Sequence, residues 1–208
     1  MQIIFNDIGI DLWPFAGLIL IIALVILRRR KHSLPYTVFF SILWVYGMAG
    51  LDKTFFPLQI NGQYVDVMRQ VPLMSFVNLI PFSFGPYGLN APSLFGLVNN
   101  IILTVPLGFL LNFMTRLKMK KIVWLSIAFG FGIEALQLFV SWLLRYPYRV
   151  IDINDALLNA IGVLIGYALF RVFAWIYLAI TRKLAIEHKG LLAYIHTVTD
   201  PAAVQPIR

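Results

Sequence analysis

Residues 12–27, 35–51, 94–114, 122–144 and a run from about residue 151 are apolar, and short groups of cations or broken, proline-containing segments set them apart. A bilayer core about 30 Å thick takes about 20 apolar residues of helix at 1.5 Å per residue. Within it the backbone must satisfy its own hydrogen bonds, so only helices or closed barrels cross. Runs this long read as helices rather than barrel strands. With 60% of 208 residues hydrophobic and 12% charged, nothing is left over for a soluble domain. The expected fold is an all-α, polytopic membrane helix bundle of five transmembrane helices. It forms one domain over residues 1–183, followed by a cytoplasmic tail at 184–208 that is partly amphipathic through Leu184, Leu191, Ile195 and Val198.

Cations orient the helices. The first apolar run is preceded by Asp7 and Asp11 and followed by Arg28, Arg29, Arg30 and Lys31, the reverse of a secretory signal, so it is expected to stay as an uncleaved helix with its N-terminus outside. Of the 17 Lys and Arg, only Lys53, Arg69, Arg145 and Arg149 fall outside in this arrangement, which supports an N-out, C-in topology. Arg171 lies far enough along the last helix to reach the inner interface as an anchor. The net charge of +8 is therefore assigned to topology and anionic headgroups, not to nucleic acid. Residues 52–93 form a long extracellular loop between helices two and three, too apolar for a solvated linker and too rich in proline for a helix, which lies on the outer interface or dips into the bundle. The expected location is the plasma membrane, crossed several times.

A few polar residues interrupt this frame. Glu134 sits near the middle of the fourth run, and burying a carboxylate in hydrocarbon costs several kcal/mol unless it meets a partner, a cavity or a ligand. At about 100° per residue, Glu134, Gln137, Ser141 and Arg145 form one seam, while Asp152, Asp155 and Asn159 share a face that Gly162 and Gly166 continue. The helical rise places Asn100, Glu134 and Asn159 at similar depth in the outer half, which predicts one pocket opening outward. Each residue also has a purely structural use. Asp152 suits an N-cap and Asp155 the positive end of the helix dipole. Asn100 and Asn159 suit interhelical hydrogen bonds, and Pro106 with Gly108 a kink and a packing notch.

Residue types limit the chemistry. His32, His188 and His196 all fall on the cytoplasmic side and there are no cysteines, which argues against a Ser/His/Asp triad, a zinc centre or a disulfide. No spacing motif supports a hard cation on Glu134, Asp152 and Asp155, and neither a metal nor a cofactor is expected. Glu134 and Asp155 remain candidates for acid–base work, and Arg149 and Arg145 for an acid partner or a phosphate of a lipid-linked substrate.

The ordered blocks Asn78-x-x-Pro81-Phe82, Asn100 with Pro106-Leu-Gly108, Glu134-x-x-Gln137 and Arg149-x-x-Asp152-x-x-Asp155-x-x-x-Asn159-x-x-Gly162 resemble the VanZ-like family of bacterial membrane proteins, over residues 78–166. The resemblance implies a link to teicoplanin resistance and an envelope role, with Asn78, Asn100, Glu134, Gln137, Arg149, Asp152, Asp155 and Asn159 as motif positions. The expected function is action at the outer leaflet on the cell envelope, lowering access of lipoglycopeptides to their target. The expected partner is a membrane lipid, a lipid-linked wall precursor or the acyl chain of the drug. The alternative is an intramembrane hydrolase or transferase using Glu134 and Asp155 on a lipid-linked or lipoprotein substrate. A transporter is less favoured, because the polar groups leave no path to the cytoplasm.

Overall fold

The computed structural model describes residues 9–10, 12–84, 88, 90–200 and 202. Each of the five apolar runs forms a helix: α1 Trp13–Arg29, α2 Leu34–Phe55, α4 Ala91–Met114, α5 Met119–Leu144 and α6 Ile153–Lys183. Between them lie α3 Gln63–Met68, a 3-10 turn at Leu73–Phe76, and four two-residue strands: β1 Gly9–Ile10, β2 Leu58–Gln59, β3 Val77–Asn78 and β4 Ile151–Asp152. A last helix, α7 Leu191–Thr199, follows the bundle. The N-terminal acids Asp7 and Asp11 and residues 203–208 of the tail lie outside the described residues.

Four helices, α2, α4, α5 and α6, are long and apolar enough to cross a membrane, so the chain is a multi-pass membrane protein. At 17 residues, α1 spans about 25 Å and falls short of the other four. It lies against α2, where the Trp44 indole donates to the Ala16 carbonyl at 3.2 Å. Phe95, Trp124, Trp142 and Trp175 are exposed. A solvated surface would rarely carry so much apolar area, whereas lipid accepts it.

The centre of the bundle is α6, packed along both α4 and α5. Lipid tails are as apolar as leucine, so helices in a bilayer associate through close packing, which small residues allow. Side chains larger than hydrogen would collide at four glycines on these contacts. A Cβ at Gly162 or Gly166 would run into the α4 backbone at Ile101 or Val105, one at Gly108 into Val163, and one at Gly130 into Ala156. Gly108 is thus the notch expected beside Pro106, and Gly162 with Gly166 extends the Asn159 face onto α4.

Local sequence explains the helix ends nearest the site. The α5 C-terminus stops at Arg145, which takes a left-handed conformation (φ 61°), with the Arg145 and Tyr146 amides donating back to Trp142 and Ser141. That turn carries Arg145 out of the seam formed by Glu134, Gln137 and Ser141, which are all buried while Arg145 is exposed. Asp152 caps α6, its carboxylate accepting the Asn154 amide at 2.8 Å.

At the other end of the bundle, α7 turns back onto α2, α4 and α6. Tyr194 and Val198 are buried with Phe113, Phe170 and Ala174, and the Tyr194 hydroxyl donates to the Phe113 carbonyl. Of the tail residues expected on one apolar side, Val198 enters this cluster and Ile195 packs beside it, whereas Leu184 and Leu191 are exposed.

Gly166→Leu should lower the unfolding temperature of the purified protein in detergent, with a cost of at least the about 1–3 kcal/mol typical of overpacking. Gly132→Ala, where a Cβ meets no atom within 4 Å, should leave it unchanged or slightly raised. Equal behaviour of the two variants would contradict the close α4–α6 approach.

Candidate functional site

The site forms where the α5–α6 connection meets the loop before α4. Strand β3 pairs in parallel with β4, with Val77 opposite Ile151 and Asn78 opposite Asp152. Two asparagines then strap the following loop to the start of α6. The Asn78 amide nitrogen donates to Asp152 Oδ1 at 3.1 Å and to the Ser83 carbonyl at 3.0 Å, and its Oδ1 accepts the Ile80 amide at 3.2 Å. Asn154 Oδ1 accepts the Phe82 amide at 2.7 Å, and its amide nitrogen donates to the Ser83 carbonyl at 3.1 Å. Phe82 holds a positive φ of 62°, a conformation costing a side-chain-bearing residue about 1–2 kcal/mol, which this strap opposes.

Glu134 belongs to the same network. Its Oε2 accepts the Asp152 amide at 2.9 Å, so the carboxylate ties α5 to the entrance of α6. Asp152 and Asp155 stand close enough for their charges to act on it. No Lys or Arg nitrogen lies within 4 Å of these three carboxylates among the described residues. Nor do three or more His, Asp or Glu side chains converge there as a metal site would require.

Beside this network is a cavity of about 200 Å³ lined by Lys53 and Thr54 of α2, Asn99, Asn100 and Leu103 of α4, Gln137 of α5, Arg149 and Val150 of the connection, and Asp155 of α6. Asn100 and Asp155 enter it from α4 and α6. Gln137 is 8% exposed, and its side-chain amide lies on the cavity lining. Arg149 is half-buried over the Tyr148 ring, 5.8 Å from guanidinium carbon to ring centroid, and its Nε is buried without a partner. Burial pushes the Tyr148 hydroxyl up to about 12, which keeps this neighbour neutral at physiological pH.

Residues 37–174 match the VanZ/LLP1 family. The chain belongs to that family. The matched region begins inside α2 and ends inside α6, so it reaches further upstream than the motif blocks from Asn78 onward and includes every residue lining the cavity. No curated protein and no solved structure gives a match.

Within this VanZ/LLP1 core the eight motif positions divide into three groups. Asn100, Gln137, Arg149 and Asp155 line the cavity. Asn78, Asp152 and Glu134 bond one another through side chain and backbone beside it. Asn159 lies one turn inward, 3% exposed, with its Oδ1 unpartnered. The described part of the 52–93 loop contributes only Lys53 and Thr54, which belong to the end of α2, to the lining. Lys53, Thr54, Asn99 and the strapping Asn154 were not singled out by sequence. Asn99 and Asn154 each adjoin a residue that was, and this adjacency was the available signal.

Asn154→Ala removes two side-chain hydrogen bonds worth about 1 kcal/mol each. Amide exchange at Phe82 should then quicken roughly thirtyfold while exchange in the middle of α4 and α5 stays the same. Unchanged exchange at Phe82 would rule out the strap.

Proposed function

We propose that this VanZ/LLP1 protein acts at the outer leaflet of the plasma membrane, with the N-terminus outside, the C-terminus inside and α1 as a fifth span. In this reading it holds the polar end of an envelope lipid or lipid-linked wall precursor, and so lowers access of lipoglycopeptides such as teicoplanin to their target. The observation that carries the reading is the convergence of Gln137, Arg149 and Asp155, from three separate segments, on one small cavity. Groups left unpaired inside a membrane protein cost free energy, and a ligand that pairs them recovers it.

Size favours one of the expected ligands. Pockets for drug-sized molecules run to about 300–1,000 Å³. A polar cavity of about 200 Å³ suits a headgroup better than the acyl chain of a lipoglycopeptide. The catalytic alternative rests on Asp155, which faces the cavity; Glu134, its intended partner, has one oxygen engaged by the Asp152 amide and does not line it.

Expression in a susceptible Gram-positive host tests this reading. Arg149→Gln and Gln137→Leu should return the teicoplanin inhibitory concentration to that of cells carrying the empty vector, at equal protein levels in the membrane. Arg145→Gln, at an exposed position that does not line the cavity, should retain protection. Full protection by the Arg149 and Gln137 variants would remove the pocket from the function.

A further inference from the structure

The cavity holds charges of both signs without letting them neutralise one another. Arg149 and Lys53 stand on its wall with Asp155, yet no ion pair joins either cation to the carboxylate within 4 Å. Asp152, the N-cap of α6, lies one turn before Asp155, so a second carboxylate stands behind the acidic side of the cavity. A ligand with a single negative charge would satisfy the cations and meet repulsion from this acidic wall. A ligand with a single positive charge would leave the cations unpaired.

Three further observations point to a small, doubly charged occupant. The Gln137 side-chain amide lines the cavity and has both a donor and an acceptor to offer it. The unpartnered Nε of Arg149 means that the guanidinium has donor capacity to spare, and arginine and lysine are the side chains best suited to phosphate. The volume of about 200 Å³ admits a phosphate and a short amine but not the acyl chains, which would be left in the bilayer.

We infer that the cavity recognises a zwitterionic head group of the phosphoethanolamine class, with the phosphate on Arg149 and Lys53 and the primary ammonium on Asp155. This rests on the headgroup-binding reading given above and names its ligand class. Gln137, on the same wall, bridges between the two charged ends. A primary ammonium donates hydrogen bonds to Asp155, whereas a trimethylated one has none to give.

Native mass spectrometry of the full-length protein, exchanged into lipids with identical acyl chains, tests the assignment. Phosphatidylethanolamine should be retained about tenfold more than phosphatidylglycerol or phosphatidylcholine, the difference expected for one charge-assisted hydrogen bond. Asp155→Asn should erase that preference while phosphate lipids still bind. Lys53→Gln, at an exposed position where folding is not at stake, should weaken retention of all of them. Soluble O-phosphoethanolamine that competes as well as the lipid supports the same chemistry with a free ligand as its source; competition only by the lipid assigns it to the membrane. Equal retention of the three lipids, or a preference that survives Asp155→Asn, overturns the assignment. Teicoplanin protection that still depends on Arg149 in that case would leave the functional reading standing without this ligand. Lipid preference without any Arg149-dependent protection would do the reverse.

Discussion

Hydrocarbon offers no hydrogen-bonding partner, so every polar side chain carried into the bundle must be matched by protein or by something the protein binds. This constraint sorts the polar residues near the start of α6. Asn78, Asp152, Asn154 and Glu134 are matched by one another and by the loop backbone, which makes them scaffolding. Arg149 keeps an unmet donor beside a cavity that Gln137 also lines. The distinction between holding the cavity and lining it follows from where those hydrogen bonds are made.

The cavity depends in turn on how closely α6 can approach its neighbours. Gly162 and Gly166 let the α4 backbone come against α6, with Gly108 as the reciprocal notch, and Gly130 does the same for α5. These contacts fix α4, α5 and α6 at a spacing that leaves Asn100, Gln137 and Asp155 facing one another. The β3–β4 pair then closes the junction by binding a loop from before α4 to the connection after α5. The shape of the cavity is therefore set by backbone packing some distance from it, as well as by the residues that line it.

Much of this was legible in the sequence because membrane helices leave few choices. Apolar run length located the five long helices but not the short α3 and α7, and rotation by 100° per residue put Glu134, Gln137 and Ser141 on one buried seam. Asp152 showed its capping role by type and position. Height arithmetic was less complete, since it places residues at a depth without saying which neighbour each one meets. Glu134 was expected to share one pocket with Asn100 and Asn159, and its carboxylate bonds the Asp152 amide beside the cavity. Arg145 left its seam because the chain takes a left-handed turn there, which helical extrapolation does not anticipate. The pairing of Asn78 with Asp152, 74 positions away, has no local signature, because two-residue strands show no periodicity. Lys53 and Thr54 were read as loop, but α2 continues to Phe55 and brings them to the cavity.

A pocket that serves the outer leaflet must open to the outside, and the absence of cysteine from the chain makes this directly measurable. Single cysteines at Lys53 and Val150 would report the mouth of the cavity, and one at Lys118 the opposite end of the bundle. Treatment of intact cells with a membrane-impermeant maleimide should label the first two, while the third should react only after permeabilisation. Labelling of position 118 in intact cells, with positions 53 and 150 protected until the membrane is opened, would place the cavity on the cytoplasmic side and contradict an action on the envelope.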